Sequence, residues 1–316
     1  MLQKKEYLTS ILLKMNTFFK KENLRYAVIG SGSWATALVK LVLNNQSKVN
    51  WYVRDNEVIG HIRERGHNPY YLSTIDFNPD RLLLSSDINE IVSGSDVIIF
   101  CIPSAYFLNE LDSLSVSLDG KFVISAIKGI IAGENITIAE YFHKKYHLPF
   151  DRIGIISGPS HAEEIAMERL TYLTLTSKHI EVAKDLCKIL ECSYVKTVPG
   201  TDIYGVEFAA VLKNVYAVGA GICHSLSYGD NFMSVFITNC FNEMREFLHA
   251  SHPDSSRVTS TSAYLGDLLV TCYSQYSRNR TFGSMVGKGI SIQAAQLDMN
   301  MVAEGYFGAK AIFEIN

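Results

Sequence analysis

The sequence is poor in charge and lacks an excess of either sign. Charged residues make up 19% of its 316 positions, and 29 basic against 32 acidic residues give a formal net charge of −3. A nucleic-acid-binding domain needs a strongly basic face, so no nucleic-acid partner is expected. Disorder is excluded from the other side: 47% of residues are apolar, enough for a sizeable core. None of the six cysteines (101, 187, 192, 223, 240 and 272) forms a C-x-x-C pair, and four lie in apolar runs. That pattern implies reduced, buried thiols in a cytoplasmic protein rather than a disulfide framework.

Targeting signals are missing as well. The apolar stretches before Arg25 are cut by Lys14, Lys20 and Lys21, and no small-residue cleavage site follows. Residues 1–23 read as an amphipathic extension, dispensable if Met15 is an alternative start. No apolar run escapes charge for long. The best candidate, Ile203 to Cys223, carries Glu207 and Lys213. Each would cost about 2.5–3.5 kcal/mol at a bilayer centre, so no membrane span is expected and the stretch reads as a buried helix. There is no internal repeat and no low-complexity tract.

What is present has a clear rhythm. The length suggests two domains at roughly 150 residues each, and a cleft between domains is where small ligands bind. From Arg25 to Val198, β-branched runs alternate with helical spacing. The runs are 26–30, 49–53, 96–102, 121–127, 152–158 and 171–176. Helical spacing covers Thr36–Leu43, Ile136–Tyr146 and Ile180–Leu190. Apolar strands alternating with helices predict an α/β domain with a doubly wound, Rossmann-type parallel sheet. After Pro199-Gly200 the chain turns rich in Ala, Leu, Val and Gly, predicting an all-α domain. The expected division is therefore an extension (1–23), a dinucleotide domain (24–198) and a helical substrate domain (199–316).

The first run opens into Gly30-Ser31-Gly32-Ser33-Trp34-Ala35 and then a helix. This is G-x-G-x-x-A with a strand before and a helix after, the context that gives the motif meaning. Gly30 permits the tight turn, Gly32 lets the backbone approach a pyrophosphate, and Ala35 keeps helix and strand close. Unpaired N–H groups at the helix start face the phosphates. The second run ends at Val53-Arg54-Asp55. An acid there takes the ribose 2′-hydroxyl of NAD, whereas an arginine suits the 2′-phosphate of NADP. Both stand side by side, and Asp55 has a second reading as the cap of the next helix. The choice between NAD and NADP stays open.

Other residues read less sharply alone. Lys128 follows a core run and precedes Gly129, which places it at the carboxyl edge of the sheet, where ligands bind. Lys213 in an apolar run reads first as a lysine snorkelling from a buried helix. Asp267 is the one acid in Tyr264–Tyr276 and has the reading of a helix cap. Ser277-Arg278-Asn279-Arg280 reads as a polar loop. His143 and His147 have i, i+4 metal-ligand spacing, but no acid or cysteine completes a set, and no metal is expected. His161 beside Ser160 forms no triad, since adjacent side chains point apart.

Six stretches, taken in order and spacing with the fingerprint, change these readings. They are Ile127-Lys128-Gly129, Ser157-Gly158-Pro159-Ser160, Leu212-Lys213-Asn214-Val215, Leu265-Gly266-Asp267-Leu268, Ser277-Arg278-Asn279-Arg280 and Val302-Ala303-Glu304-Gly305-Tyr306. Together they resemble NAD(P)-dependent glycerol-3-phosphate dehydrogenase of the bacterial type, from about Tyr26 to Lys310. The resemblance implies hydride transfer between a nicotinamide and the middle carbon of dihydroxyacetone phosphate or sn-glycerol 3-phosphate, supplying glycerophospholipid synthesis. It implies that Lys213 is the general acid and base. With Glu207, Asp267 and a second lysine nearby in a closed cleft, its pKa is expected to fall toward neutrality. Lys128 is implied to contact cofactor and substrate, and Asp267 to contact the substrate hydroxyls and orient Lys213. Arg278, with Ser277 and Asn279, is the implied phosphate grip, and Arg278 also reaches the cofactor. Gly158 and Ser160 are implied to approach the substrate. Ser33, Trp34, Ala162, Val302 and Glu304 approach the cofactor. The family does not use the position of His161 as its base. A homodimer is the expected assembly.

Two departures stand out. The extension before Leu24 is longer than the fingerprint needs. The family continues past the Val302–Tyr306 region with about two more helical turns or longer, whereas this chain stops at Asn316 in a helical pattern. Two other readings compete. A related two-domain 3-hydroxyacid or ketopantoate-type reductase would bind a carboxylate and need no matching phosphate shell. A nucleotide-binding regulator without catalysis would have no need of Lys128, Lys213, Asp267 and Arg278 together.

Overall fold

The structure, a computed structural model, describes residues 18–131, 133–299 and 302–315. Most of the N-terminal extension, Met15 included, lies outside the described residues. Its last part is not loose. Phe18 is buried and, with Phe19, packs edge-on or tilted against Phe122, while the Arg152 guanidinium lies over the Phe18 ring. The expectation that residues 1–23 are dispensable therefore does not extend to Phe18 and Phe19.

Among the described residues, ten strands form in chain order. They are β1 (Tyr26–Ile29), β2 (Val49–Tyr52), β3 (Leu82–Ser85), β4 (Val97–Phe100), β5 (Phe122–Ser125), β6 (Ile130–Ile131), β7 (Ile136–Thr137), β8 (Ile153–Ser157), β9 (Thr171–Ser177) and β10 (Val195–Gly200). Eight make one sheet in the order β10-β9-β8-β5-β4-β1-β2-β3, and β6 with β7 make a two-stranded ribbon. From β3 across to β8 all neighbours are parallel. Alternate residues feed the two faces. Ala27 and Ile29 join one core with Phe107 and Phe142, and Val28 joins the other with the Ser33–Asn45 helix. Both faces are covered, so the strands read as continuous apolar runs.

The sheet is not wholly parallel. β9 runs antiparallel to β8, with Ser157 opposite Thr174, and β10 follows β9 in parallel. The cause lies in the connection. After Ser157 the chain does not cross back over a face of the sheet. It stays at the carboxyl edge through Gly158–Ser160 and the short Ala162–Ala166 helix, and the next strand starts from that edge. The same detour keeps Ser160 and Ala162 at the ligand-binding edge. β10 includes Pro199 and Gly200, so the strand runs through the pair expected to mark the domain boundary. Proline is tolerated there because β10 is an edge strand.

From Ile203 onward the described chain is helical. The Ile203–Ser225 helix is the described helix long and apolar enough to cross a membrane, but 72% of its apolar window is buried in the fold. It is wrapped by the helices Arg278–Gly287, Glu304–Ile315 and Asp267–Tyr273. The approach is close enough that a Cβ on Gly221 would sit 2.0 Å from the Arg280 carbonyl oxygen, and one on Gly283 the same distance from that of Val218. One core runs unbroken from the sheet (Phe100, Ile155) into this bundle (Phe208, Leu212, Leu268).

Candidate active site

A cleft of about 760 Å³ opens along the carboxyl edge of the sheet, walled on its far side by the helical bundle. Its floor is the turn after β1. Gly30 has φ +125°, and a Cβ there would lie 2.3 Å from the Cys101 carbonyl oxygen, so the residue must be glycine. Gly32 faces open space. It caps the Ser33–Asn45 helix without a side-chain bond, and no acid occupies the first turn. The N–H groups of that turn are left for an anion. The turn is held from behind by Asn68, which is fully buried. Its amide donates to the Ser31 carbonyl (2.9 Å) and to Thr36 Oγ1 (3.1 Å), and its oxygen accepts from the Tyr70 and Tyr71 amides.

At the cleft centre, Lys213 Nζ donates to Asp267 Oδ1, and both side chains are buried. Burial pushes the Lys213 ammonium down to about 7, with the Lys128 charge adding to the fall and Asp267 opposing it. The expected shift toward neutrality is present, but one expected cause is not. Glu207 lies six residues before Lys213, on a different face of the helix. Its Oε1 accepts from the Ala139 amide at the start of the Ile138–Tyr146 helix. Asp267 is aimed inward by a single π-helical turn, Ser262–Gly266, directly before it. That turn is anchored by Tyr264, whose hydroxyl donates to Asp202, the cap of the Lys213 helix. Asp267 Oδ2 is buried with no partner among the described residues, an acceptor presented to the cleft.

Lys128 completes the cationic centre. Its Nζ lies 5.3 Å from the centroid of the Trp34 ring, and its carbonyl accepts from Asn214 Nδ2 at 3.3 Å. Gly129 must be small, since a Cβ would strike the Ser104 hydroxyl. Arg278 begins its own helix beside the dinucleotide turn. One of its nitrogens, Nη2, reaches Ser33 Oγ and Glu163 Oε1, both at 3.3 Å. Ser277 caps that helix by accepting from the Arg280 amide. Asn279 Oδ1 accepts from the Gly305 amide at 2.8 Å, leaving its NH₂ group to donate elsewhere.

The structure brings all but one of the remaining expected residues to the cleft. Ser160, Ala162, Val302 and Glu304 line it. Gly158 does not. It shapes the turn at φ +103°, and its carbonyl accepts from Ser160 Oγ. Glu304 bridges the two halves, with Oε1 accepting the Ser104 amide at 2.8 Å and Oε2 the Ser104 hydroxyl. Burial raises its pKa. Arg54 lines the cleft and pairs with Glu110 at 2.8 Å, whereas Asp55 caps the Asn56–Arg65 helix by accepting the Glu57 amide.

His143 and His147 do not share a face. The helix ends at Tyr146, and His147 follows it with φ +55°. His161 lines the cleft as a neutral imidazole, pushed down to about 3 by burial and by Lys128 and Lys213. Asn214, Glu163, Asn68 and Glu110 were not singled out from sequence. Asn214 was visible inside the Leu-Lys-Asn stretch. The others depend on contacts between distant segments.

The wall fits a nicotinamide dinucleotide. The glycine turn leaves free amides, Gly32 leaves room, and the buried Trp34 indole N–H has no partner among the described residues. Fold and site together define an oxidoreductase that uses a nicotinamide dinucleotide, with cations placed for a small anionic substrate. Family models agree at both ends. The N-terminal model of NAD-dependent glycerol-3-phosphate dehydrogenase matches residues 25–183, and the C-terminal model matches 202–316. A glycerol-3-phosphate dehydrogenase [NAD(P)+] from Prosthecochloris aestuarii is 33% identical over 92% of this chain and 87% of its own. One from Latilactobacillus sakei is 34% identical over 92% and 86%. The crystal structure of glycerol-3-phosphate dehydrogenase from Coxiella burnetii matches with a TM-score of 0.83 at 26% identity, covering 93% of this chain and 89% of that one. The chain belongs to the NAD-dependent glycerol-3-phosphate dehydrogenase family.

Proposed function

We propose that the chain interconverts dihydroxyacetone phosphate and sn-glycerol 3-phosphate with NAD(H) or NADP(H), supplying sn-glycerol 3-phosphate for glycerophospholipid synthesis in the cytoplasm. The observation that carries the reading is the buried Lys213–Asp267 pair, with Lys128 beside it and Arg278 at the mouth of the dinucleotide turn. In the reading, residues 24–198 hold the dinucleotide and 199–316 hold the substrate.

The bound nicotinamide supplies or accepts the hydride at the substrate's middle carbon. In the reducing direction Lys213 gives its proton to the developing alkoxide, and in the oxidising direction the neutral amine takes it back. A pKa near 7 keeps both forms populated at neutral pH. Asp267 holds Lys213 through Oδ1 and offers Oδ2 to a substrate hydroxyl. Lys128 adds positive charge where the oxyanion forms. Arg278, the Asn279 amide and the Ser277 hydroxyl grip the phosphate, and Ser160 lines the same cleft. Ser33, Trp34, Ala162, Val302 and Glu304 line the dinucleotide side. Gly158 supports the reading indirectly, by shaping the turn that carries Ser160.

A phosphate grip favours this reading over a 3-hydroxyacid or ketopantoate-type reductase, which needs a carboxylate site. As to assembly, Phe232 and Val235 on the Asp230–Ser251 helix are exposed and give a homodimer an apolar face. Steady-state oxidation of NADH and NADPH with dihydroxyacetone phosphate tests the reaction. Turnover with 2-ketoacids and none with dihydroxyacetone phosphate would overturn it. Light scattering tests the dimer.

A further inference from the structure

Resting on that reading, we propose that Glu110 is the ribose acceptor at the adenosine end of the cofactor site, and that it turns this chain toward NADH and away from NADPH. In a dinucleotide fold the acid at the end of the second strand holds the ribose hydroxyls. Here that acid is Asp55, and it is engaged elsewhere. Its Oδ1 accepts the Glu57 amide at 2.8 Å, and its side chain is not on the cleft wall. Glu110 is on the wall, delivered by the neighbouring Ser104–Leu111 helix after β4.

The Glu110 carboxylate is fixed on both sides. Oε2 accepts from the Tyr52 hydroxyl at 2.7 Å, and Oε1 accepts from Arg54 Nη1 at 2.8 Å. Its side chain is 12% exposed, against 75% for Arg54. Burial and the Glu110 charge both raise the Tyr52 phenol, so it remains a donor. The arginine that would take a 2′-phosphate is thus already paired with a carboxylate that Tyr52 also holds. Each Glu110 oxygen keeps a free lone pair, which a 2′-hydroxyl can fill by donating. A 2′-phosphate has no proton to give there at neutral pH. Gripped by Arg54, it would bring its dianion against the Glu110 charge. Specificity built on repulsion of the wrong ligand is the expected result.

Calorimetric titration of the wild-type chain and the Glu110→Gln variant with NADH, NADPH, ADP and 2′,5′-ADP tests this without turnover. Like-charge contact is worth at least about tenfold in affinity. The wild type should therefore bind NADH at least about tenfold tighter than NADPH. Glu110→Gln should weaken NADH, tighten NADPH and move the ratio of dissociation constants by about tenfold, with the fragment pair following. Tyr52→Phe keeps the core ring but frees Glu110, and should shift the ratio the same way by a smaller factor. A wild type that prefers NADPH, or a ratio unmoved by both variants, would overturn the proposal. Should dihydroxyacetone phosphate prove not to be a substrate, the binding ratios still decide the role of Glu110.

Discussion

Lys213 and Asp267, 54 residues apart in the chain, meet as a buried ion pair at the centre of the cleft. The pair joins two helices, and Asp267 opposes the fall in proton affinity that burial imposes on Lys213, the group proposed to move the proton. Lys213→Ala should lower kcat by about 10²- to 10⁴-fold, while the dissociation constant for NADH changes little. The same variant leaves Asp267 buried without its cation, which costs about 3–5 kcal/mol. Its melting temperature must be measured alongside, and Lys213→Ala with Asp267→Asn should recover stability without recovering activity.

The pH profile follows from the same pair. With Lys213 near 7, reduction of the ketone needs the ammonium form and should fall as pH rises through about 7. Oxidation of sn-glycerol 3-phosphate needs the amine and should rise through the same range. Asp267 holds the Lys213 pKa up. Asp267→Asn should therefore move the reductive limb to lower pH. A limb that stays in place would separate Asp267 from the control of Lys213.

Arg278 is tested by a swap that keeps its charge. Arg278→Lys loses the planar fork and, with it, the second hydrogen bond of the proposed phosphate grip. A charge-assisted bond is worth about 1.5–3 kcal/mol, so KM for dihydroxyacetone phosphate should rise by about 10- to 100-fold. The lost contacts to Ser33 and Glu163 should also weaken the cofactor, by a smaller factor.

The two glycines of the fingerprint should separate folding from binding. Gly30→Ala places a Cβ 2.3 Å from the Cys101 carbonyl oxygen at φ +125°, and should cost several degrees of melting temperature. Gly32→Ala meets nothing in the fold. It should keep the wild-type melting temperature and lose cofactor affinity, read by quenching of Trp fluorescence on NADH addition.

Glu207 gives a prediction about stability alone. It is buried, and its pKa is raised to about 8 by burial, partly offset by bonds from Thr137 and Ala139. A carboxyl raised above its unfolded value near 4.5 stabilises fully below that pH, and the benefit is lost as pH climbs to about 8. Glu207→Gln has no proton to lose. The melting temperature of the variant relative to wild type should therefore rise steadily between pH 4.5 and 8. A flat difference would mean that Glu207 is ionised in the folded chain throughout.

Much of this architecture was legible in the residues. The strand from Tyr26, the glycine turn and the Ile180–Leu190 helix follow directly from periodicity, because burial on both sheet faces writes a continuous apolar run. The reversal of β9 was not legible. TYLTLT has the same pattern whether its neighbour runs with it or against it, and its direction was decided by a detour at the sheet edge. β3 was missed because its Leu82-Leu83-Leu84 run has no β-branched residue, and because, on an edge strand, Leu83 is exposed while Leu84 is buried. The cationic centre was found only through ordered motifs, since Lys213 in an apolar helix is ambiguous alone. Asn68 and Glu110 were invisible for a different reason. Their partners, Ser31 and Thr36 in one case and Tyr52 and Arg54 in the other, lie tens of residues away.

The central claim is that Lys213 moves the proton for a phosphate-bearing three-carbon substrate. Its most direct test is the pH dependence of dihydroxyacetone phosphate reduction with saturating NADH, wild type against Lys213→Ala. The wild type should turn over, with a rate that falls through about pH 7, and the variant should show a residual rate with no such limb. A variant that keeps the wild-type rate and profile, or a folded wild type inert toward dihydroxyacetone phosphate with both NADH and NADPH, would contradict it.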